Sequence, residues 1–152
     1  MTLGPIEQIP IVKAAGVRLL AVHQWVYERT DGRIGHRILG VPCLLLRTVG
    51  AKTGLTRTNS LTYGRDGSDY LVVASKGGAP KAPGWYHNLR ANPSAEIQVG
   101  TRKQQVTARF VVPGDDEYER LWDIVNAVNS NRFRAYQKAT TRPIPVVVLT
   151  PR

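Results

Sequence analysis

Three β-type runs, residues 41–49, 56–63 and 70–74, follow one another with only a few residues between them. Gly50-Ala51-Lys52-Thr53-Gly54 forms the first reversal and Arg65-Asp66-Gly67-Ser68 the second. Parallel neighbours need crossovers of a dozen residues or more, so turns this short dictate antiparallel pairing and predict a meander. Residues 96–99, 104–112 and 144–149 read as three further strands. Helical spacing appears in three places. Residues 10–28 carry the stripe Ile11, Ala15, Leu19, Val22 and Val26; 85–90 form a short helix; 115–129 carry Tyr118, Leu121, Trp122, Val125 and Val128. Asp116 and Glu119 fit a capping box at the start of the last helix. Six short strands with helices at both ends predict a mainly β domain with helices (α+β), of the barrel type. No repeat, low-complexity tract or linker divides the chain of 152 residues. It reads as an N-terminal helix, 1–30, attached to a barrel, 31–152.

Charge narrows the function. The net charge is +10, and it is unevenly spread. No acid lies between Asp31 and Asp66, a stretch holding Arg33, Arg37, Arg47, Lys52, Arg57 and Arg65. None lies between Asp69 and Glu96, while Lys76, Lys81 and Arg90 do. Five of the eleven acids instead fall between Asp115 and Asp123, in the first turns of a helix, where they suit its dipole. The middle of the chain therefore attracts anions. Nucleic acid is a weak reading of that field, because no recognition motif accompanies it. The apolar runs are too short to span a bilayer and no signal peptide opens the chain, which makes a cytoplasmic protein the expectation. The N-terminal helix, whose polar face carries only Lys13 and Arg18 before Arg29, packs against the barrel or a second subunit in one reading and makes a peripheral contact with the inner face of the plasma membrane in the other.

Several chemistries find no pattern. There is no G-x-G-x-x-G after a strand, no G-x-x-x-x-G-K-[ST], and no G-x-S-x-G elbow. His23, His36 and His87 are scattered away from metal-ligand spacing, so no metal site is expected. Cys43 lies in an apolar strand and reads as an inert core residue. An enzyme with this inventory would take its reactivity from a cofactor.

Four local features carry candidate binding chemistry. Ser75-Lys76-Gly77-Gly78 leaves a strand into a turn where paired glycines let backbone amides approach an anion; the alternative is an ordinary turn with a solvated lysine. Lys52 and Arg57 flank the first hairpin turn, and Asn59, two residues past Arg57, shares its strand face, a set suited to phosphate or carboxylate; the alternative is simply a charged hairpin tip. In the short helix Trp85 and Leu89 stand at i and i+4 and read as core, leaving Tyr86 and Asn88 freer to meet a ligand. Phe133 and Tyr136, at i and i+3, share a face able to cover a planar ring or to pack on the Trp122 helix.

Taken together, three blocks resemble the deazaflavin (F420)-dependent nitroreductase family: G-x-K-T-G-x-x-R-x-N at 50–59, A-S-K-G-G-x-P-K-x-P-x-W-Y-x-N-L-x-A-N-P at 74–93, and R-x-I-P-V-V-V at 142–148. The resemblance runs from about Trp25 to the C-terminus. It implies a split β-barrel of the FMN-binding, pyridoxamine-phosphate-oxidase type. It also implies coenzyme F420, an anionic deazaflavin with a phosphodiester and an oligoglutamate tail, with FMN as the alternative cofactor. The implied activity is hydride transfer from reduced F420 to a small quinone- or nitro-type acceptor, and the competing reading is a non-catalytic F420, FMN or lipid binder. By motif position, Lys52, Arg57 and Lys76 would hold phosphate and tail. Ser75, Gly77 and Gly78 would line phosphate and ring; Asn59, Trp85, Tyr86 and Asn88 would complete the wall; and Tyr136 or Ser75 would supply a proton or hydrogen bond. The family's late tyrosines are partly replaced here, by Phe133 and the polar segment 129–132. Dimers are common among split barrels, so a homodimer is a further expectation.

Overall fold

The computed structural model describes residues 21–30, 37–38 and 41–152. The part of the N-terminal helix predicted over 10–20 lies outside them. Residues 21–29 are helical (α1). The strands are β1 (Arg37–Ile38), β2 (Val41–Val49), β3 (Thr56–Thr62), β4 (Gly64–Asp66), β5 (Asp69–Val73), β6 (Ser94–Val99), β7 (Arg102–Val111) and β8 (Val146–Pro151). The remaining helices are α2 (Gly84–Ala91), α3 (Tyr118–Val128) and α4 (Arg132–Lys138).

All described pairings are antiparallel, in the order β1-β2-β6-β7-β8-β5-β4, with β3 on the other side of β2. The predicted meander holds for β2 and β3, which pair from Cys43↔Thr62 to Val49↔Thr56. It fails at the next step: β5 pairs with β4 and β8, not with β3. The chain bends at Tyr63, so a run read as one strand and a turn becomes two strands on two ends of the sheet. This bend joins the ends covalently and curls the sheet into a split barrel. Gly64, just past the bend, permits it: a Cβ there would meet Ile124 of α3 at 3.3 Å and Val125 at 3.5 Å.

Strand alternation sorts the core into two faces. Leu44, Leu46, Tyr70, Val72, Val147 and Leu149 point into the barrel, where Trp85 and Leu89 of α2 plug one end. Their neighbours Leu71, Val73, Val146 and Val148 face α3 and α4, meeting Leu121, Trp122, Val125 and Phe133. The Tyr118 and Trp122 rings stack with centroids 5.5 Å apart.

Two local expectations are corrected. Val22, placed on the buried stripe of the first helix, is 57% exposed, and the helix is instead anchored by Tyr27, buried with Cys43 and Leu45, and by polar groups. The buried Tyr27 hydroxyl lies 3.1 Å from the Cys43 carbonyl and accepts from the Gly100 N–H at 3.0 Å. The Gln24 carboxamide donates to the Thr58 carbonyl at 2.8 Å and accepts from the Ser60 N–H at 3.2 Å, satisfying the outer edge of β3. The capping box of α3 does not form. The helix begins at Tyr118, after a turn in which the Asp115 carboxylate accepts from the Val112 N–H at 2.9 Å.

Candidate functional site

A cleft of about 1760 Å³ runs from the β2–β3 hairpin tip to the corner between α3 and α4. Of the residues singled out in the sequence, Lys52, Arg57, Asn59, Ser75, Lys76, Trp85, Asn88, Phe133 and Tyr136 line it. Gly77, Gly78 and Tyr86 are not part of the lining. Tyr86 packs against the barrel core, its ring edge-on to Phe110 at 5.5 Å. The cleft volume exceeds the roughly 300–1000 Å³ of a typical small-ligand pocket, so there is room for a long cofactor and a second molecule.

Several cations outside this wall are committed to carboxylates. Arg47, one of the residues behind the sequence-level charge bias, is neutralised across the β2–β6 pair by Glu96 at 3.1 Å. Arg120 pairs with Asp66 at 2.8 Å, which raises its pKa. Arg109 pairs with Glu117 and Arg134 with Asp123. Lys52, Arg57, Lys76 and Arg132 line the cleft and have no carboxylate partner among the described residues, a condition shared outside the cleft by cations such as Lys81 and Lys138. Among the described residues, Glu28 is the only acid in the lining. Unpaired cations converging on one cleft make it a ready anion site.

The Ser75 turn is built by backbone conformation. Lys76, Gly77 and Gly78 all have positive φ, of 46°, 62° and 79°. Gly78 has a second constraint, because a Cβ there would fall 2.6 Å from the Tyr136 carbonyl oxygen. Packed this tightly, α4 sits directly against the turn. Ser75 is 6% exposed and lines the cleft just before this left-handed stretch.

Two supports were not evident in the sequence. Arg142 donates to the carbonyls of Ala74 at 3.0 Å, Ser75 at 2.9 Å and Ala79 at 3.1 Å, so its guanidinium fastens both ends of the turn. Asn88, expected to face a ligand, spends its carboxamide on the protein: it accepts from the Ala51 N–H at 2.9 Å and donates to the Thr48 hydroxyl at 3.0 Å. It thereby pins the Lys52 hairpin to α2. Gln24, His87 and Asn129 also line the cleft and were missed. Asn129 had a signal, since it continues the Trp122–Val125 stripe of α3 at i+7 and i+4. Phe133 is buried against Trp122 at 6.3 Å, and Tyr136 lies edge-on to it at 6.2 Å.

A profile of the F420H(2)-dependent quinone reductase family matches residues 19–151. The chain belongs to that family. An F420H(2)-dependent quinone reductase of Mycobacterium tuberculosis is 62% identical to this family member over 138 residues, covering 90% of this chain and 93% of its own. A second, putative F420H(2)-dependent quinone reductase of that organism is 39% identical, covering 74% and 92%. A solved F420-H2 dependent reductase superimposes with a TM-score of 0.63 at 37% identity, covering 71% and 93%. A chain solved as a domain-swapped dimer gives 0.65 at 35% identity, covering 83% and 97%. A heme storage protein of Vibrio cholerae, 14% identical with a TM-score of 0.58 over 82% of this chain and 88% of its own, shares the fold. No helix among the described residues of this quinone reductase family member is long and apolar enough to cross a membrane.

Proposed function

We propose that this protein binds reduced F420 in the cleft and catalyses its oxidation by a quinone-type acceptor. One observation carries the reading: four cations without carboxylate partners line a cleft in a chain 62% identical to an F420H(2)-dependent quinone reductase. The residues present fit that cofactor. Lys52 and Arg57 at the hairpin, with Lys76, suit a phosphodiester and an oligoglutamate tail, Arg57 presenting a planar fork of donors. Trp85, Asn59 and Ser75 furnish an apolar wall with hydrogen-bonding groups, the mixture that orients a flat heteroaromatic ring. Gly77 and Gly78 shape the turn rather than touch the ligand, and Tyr86 and Asn88 position the walls. FMN finds no support among the relatives above 30% identity.

Bound there, the reduced deazaflavin supplies a hydride and a proton, the two equivalents that convert a quinone to its hydroquinone. The protein's part is to hold donor and acceptor in contact, an effect worth several kcal/mol when the geometry is right. Tyr136 and Ser75, on adjoining parts of the wall, are the groups proposed to hydrogen-bond the acceptor and pass it a proton. A nitro-type acceptor fits the same chemistry, but the relatives' names favour quinones. The test is anaerobic mixing of protein with reduced F420 and menadione. Acceptor-dependent loss of the reduced form supports the reading; tight binding without turnover would make the protein a carrier.

Two further associations are proposed. Val22 and Trp25 of α1 are 57% and 58% exposed, with Arg29 over the Trp25 ring at 5.4 Å, a pattern suited to peripheral contact with an anionic lipid surface. Flotation with anionic vesicles, for the native chain and Trp25→Ala, checks it. A homodimer is suggested by the domain-swapped neighbour and is read by light scattering.

A further inference from the structure

Asn129 closes α3 and is 5% exposed, yet its Oδ1 has no hydrogen-bond partner. A buried, unsatisfied carbonyl costs about 1–3 kcal/mol, so a native protein that keeps one has a use for it. The residue lines the cleft, as do Arg132, Phe133 and Tyr136 of the adjoining α4.

The backbone around it is held firmly. Ser130 and Asn131 follow with φ of 60° and 63°, a left-handed pair with no glycine, costing about 1–2 kcal/mol each. Asn126 stabilises this corner: its carbonyl accepts from the Asn131 N–H at 2.8 Å and its Oδ1 from the Arg134 N–H at 3.0 Å. Its Nδ2 donates to the Trp122 carbonyl at 2.8 Å, and Arg134 reaches back to Asp123. Two neighbouring asparagines are thus treated differently. Asn126 is fully satisfied and structural, while Asn129 is positioned with its amide unused.

Resting on the quinone reductase reading, we infer that Asn129 anchors the electron acceptor by hydrogen-bonding its carbonyl oxygen. With Oδ1 closed off from solvent, the end of the carboxamide left for a cleft ligand is the –NH₂, a donor. A quinone presents only acceptors, its carbonyl oxygens. As hydride arrives on the quinone, that oxygen gains negative charge and the bond strengthens, so the contact favours the transition state. No protein partner fixes Oδ1, so a half-turn of the amide lets it accept from the hydroxyl of the hydroquinone. One side chain then recognises both redox forms of the acceptor, a role distinct from cofactor binding.

The test compares the native protein with Asn129→Leu and Asn129→Ala, using menadione as acceptor. Three quantities are read: F420 affinity, kcat/KM for menadione, and Tm. The expected result is unchanged F420 affinity and a fall in kcat/KM of about tenfold or more in both variants. Asn129→Leu should melt no lower than the native protein, because it removes an unsatisfied polar atom. Unchanged kcat/KM in the two variants overturns the proposal, as does a loss of F420 affinity matching the loss of turnover. A lower Tm for Asn129→Leu with unaltered kinetics assigns the residue a structural role and also overturns it. Failure of the native protein to oxidise reduced F420 with menadione would instead reject the function on which the proposal rests.

Discussion

Arg142 donates to the carbonyl oxygen of Ser75 at 2.9 Å, tying the last sequence block to the turn that precedes the left-handed residues. The same guanidinium reaches Ala74 and Ala79, so one side chain spans the turn from both sides. Arg142 therefore supports the turn from behind, through backbone carbonyls.

Arg142→Met should keep the fold but loosen the turn. Loss of hydrogen bonds from a charged donor to part-buried carbonyls costs about 1.5–3 kcal/mol. The expected outcome is a lower Tm, by several degrees, and weaker F420 binding, with the far hairpin unaffected. Hydrogen exchange should show faster exchange confined to residues near 75–79.

Gly78→Ala should be more damaging than Gly77→Ala. Both have positive φ, but only at Gly78 does the new Cβ strike backbone, the Tyr136 carbonyl at 2.6 Å. The Gly77 substitution carries the left-handed penalty alone, about 1–2 kcal/mol. The Gly78 substitution adds displacement of α4. Denaturant melts rank the two, and equal losses would contradict the packing described.

Arg57→Met and Lys52→Met should each weaken F420 binding by about tenfold at low salt and less at high salt, since surface charges are screened within ~10 Å at 0.1 M ionic strength. The native affinity should itself fall as salt rises. Arg47→Met should lower stability with little effect on affinity, because Arg47 is committed to Glu96.

These contrasts mark what the sequence could and could not say. Short continuous apolar runs made β2, β5 and β8 legible, because each buries both of its faces. The bend at Tyr63 was not legible, since it depends on Gly64 meeting Ile124 and Val125, residues sixty positions later. At the site, residue type singled out Lys52, Arg57, Ser75 and Lys76, and these four line the cleft. It did not foresee that Asn88, which lines the cleft, would bond Thr48 and Ala51, or that Tyr86 would pack against Phe110. Long-range partners of this kind leave no local pattern.

Alkaline stability should depend on Tyr118. Burial, with a smaller repulsion from Glu119, raises its pKa well above the ordinary 10.0. Its hydroxyl donates to the Ile144 carbonyl at 2.7 Å, which requires the protonated form. A group with a raised folded-state pKa contributes in full below its unfolded pKa and loses that contribution as pH climbs past it. Stability should therefore be flat around Tyr118 up to about pH 10 and fall above it. Tyr118→Phe should cost about 1–3 kcal/mol at neutral pH and reduce the alkaline decline. A melt series from pH 8 to 11.5 reads both effects.

The most direct check of the central claim, that the basic cleft is built for F420, is an equilibrium fluorescence titration of the native protein with F420 and, separately, with FMN. The predicted result is saturable, salt-sensitive F420 binding at micromolar concentration or below, with FMN bound far more weakly. No F420 binding at micromolar concentration, or tighter binding of FMN, would contradict it.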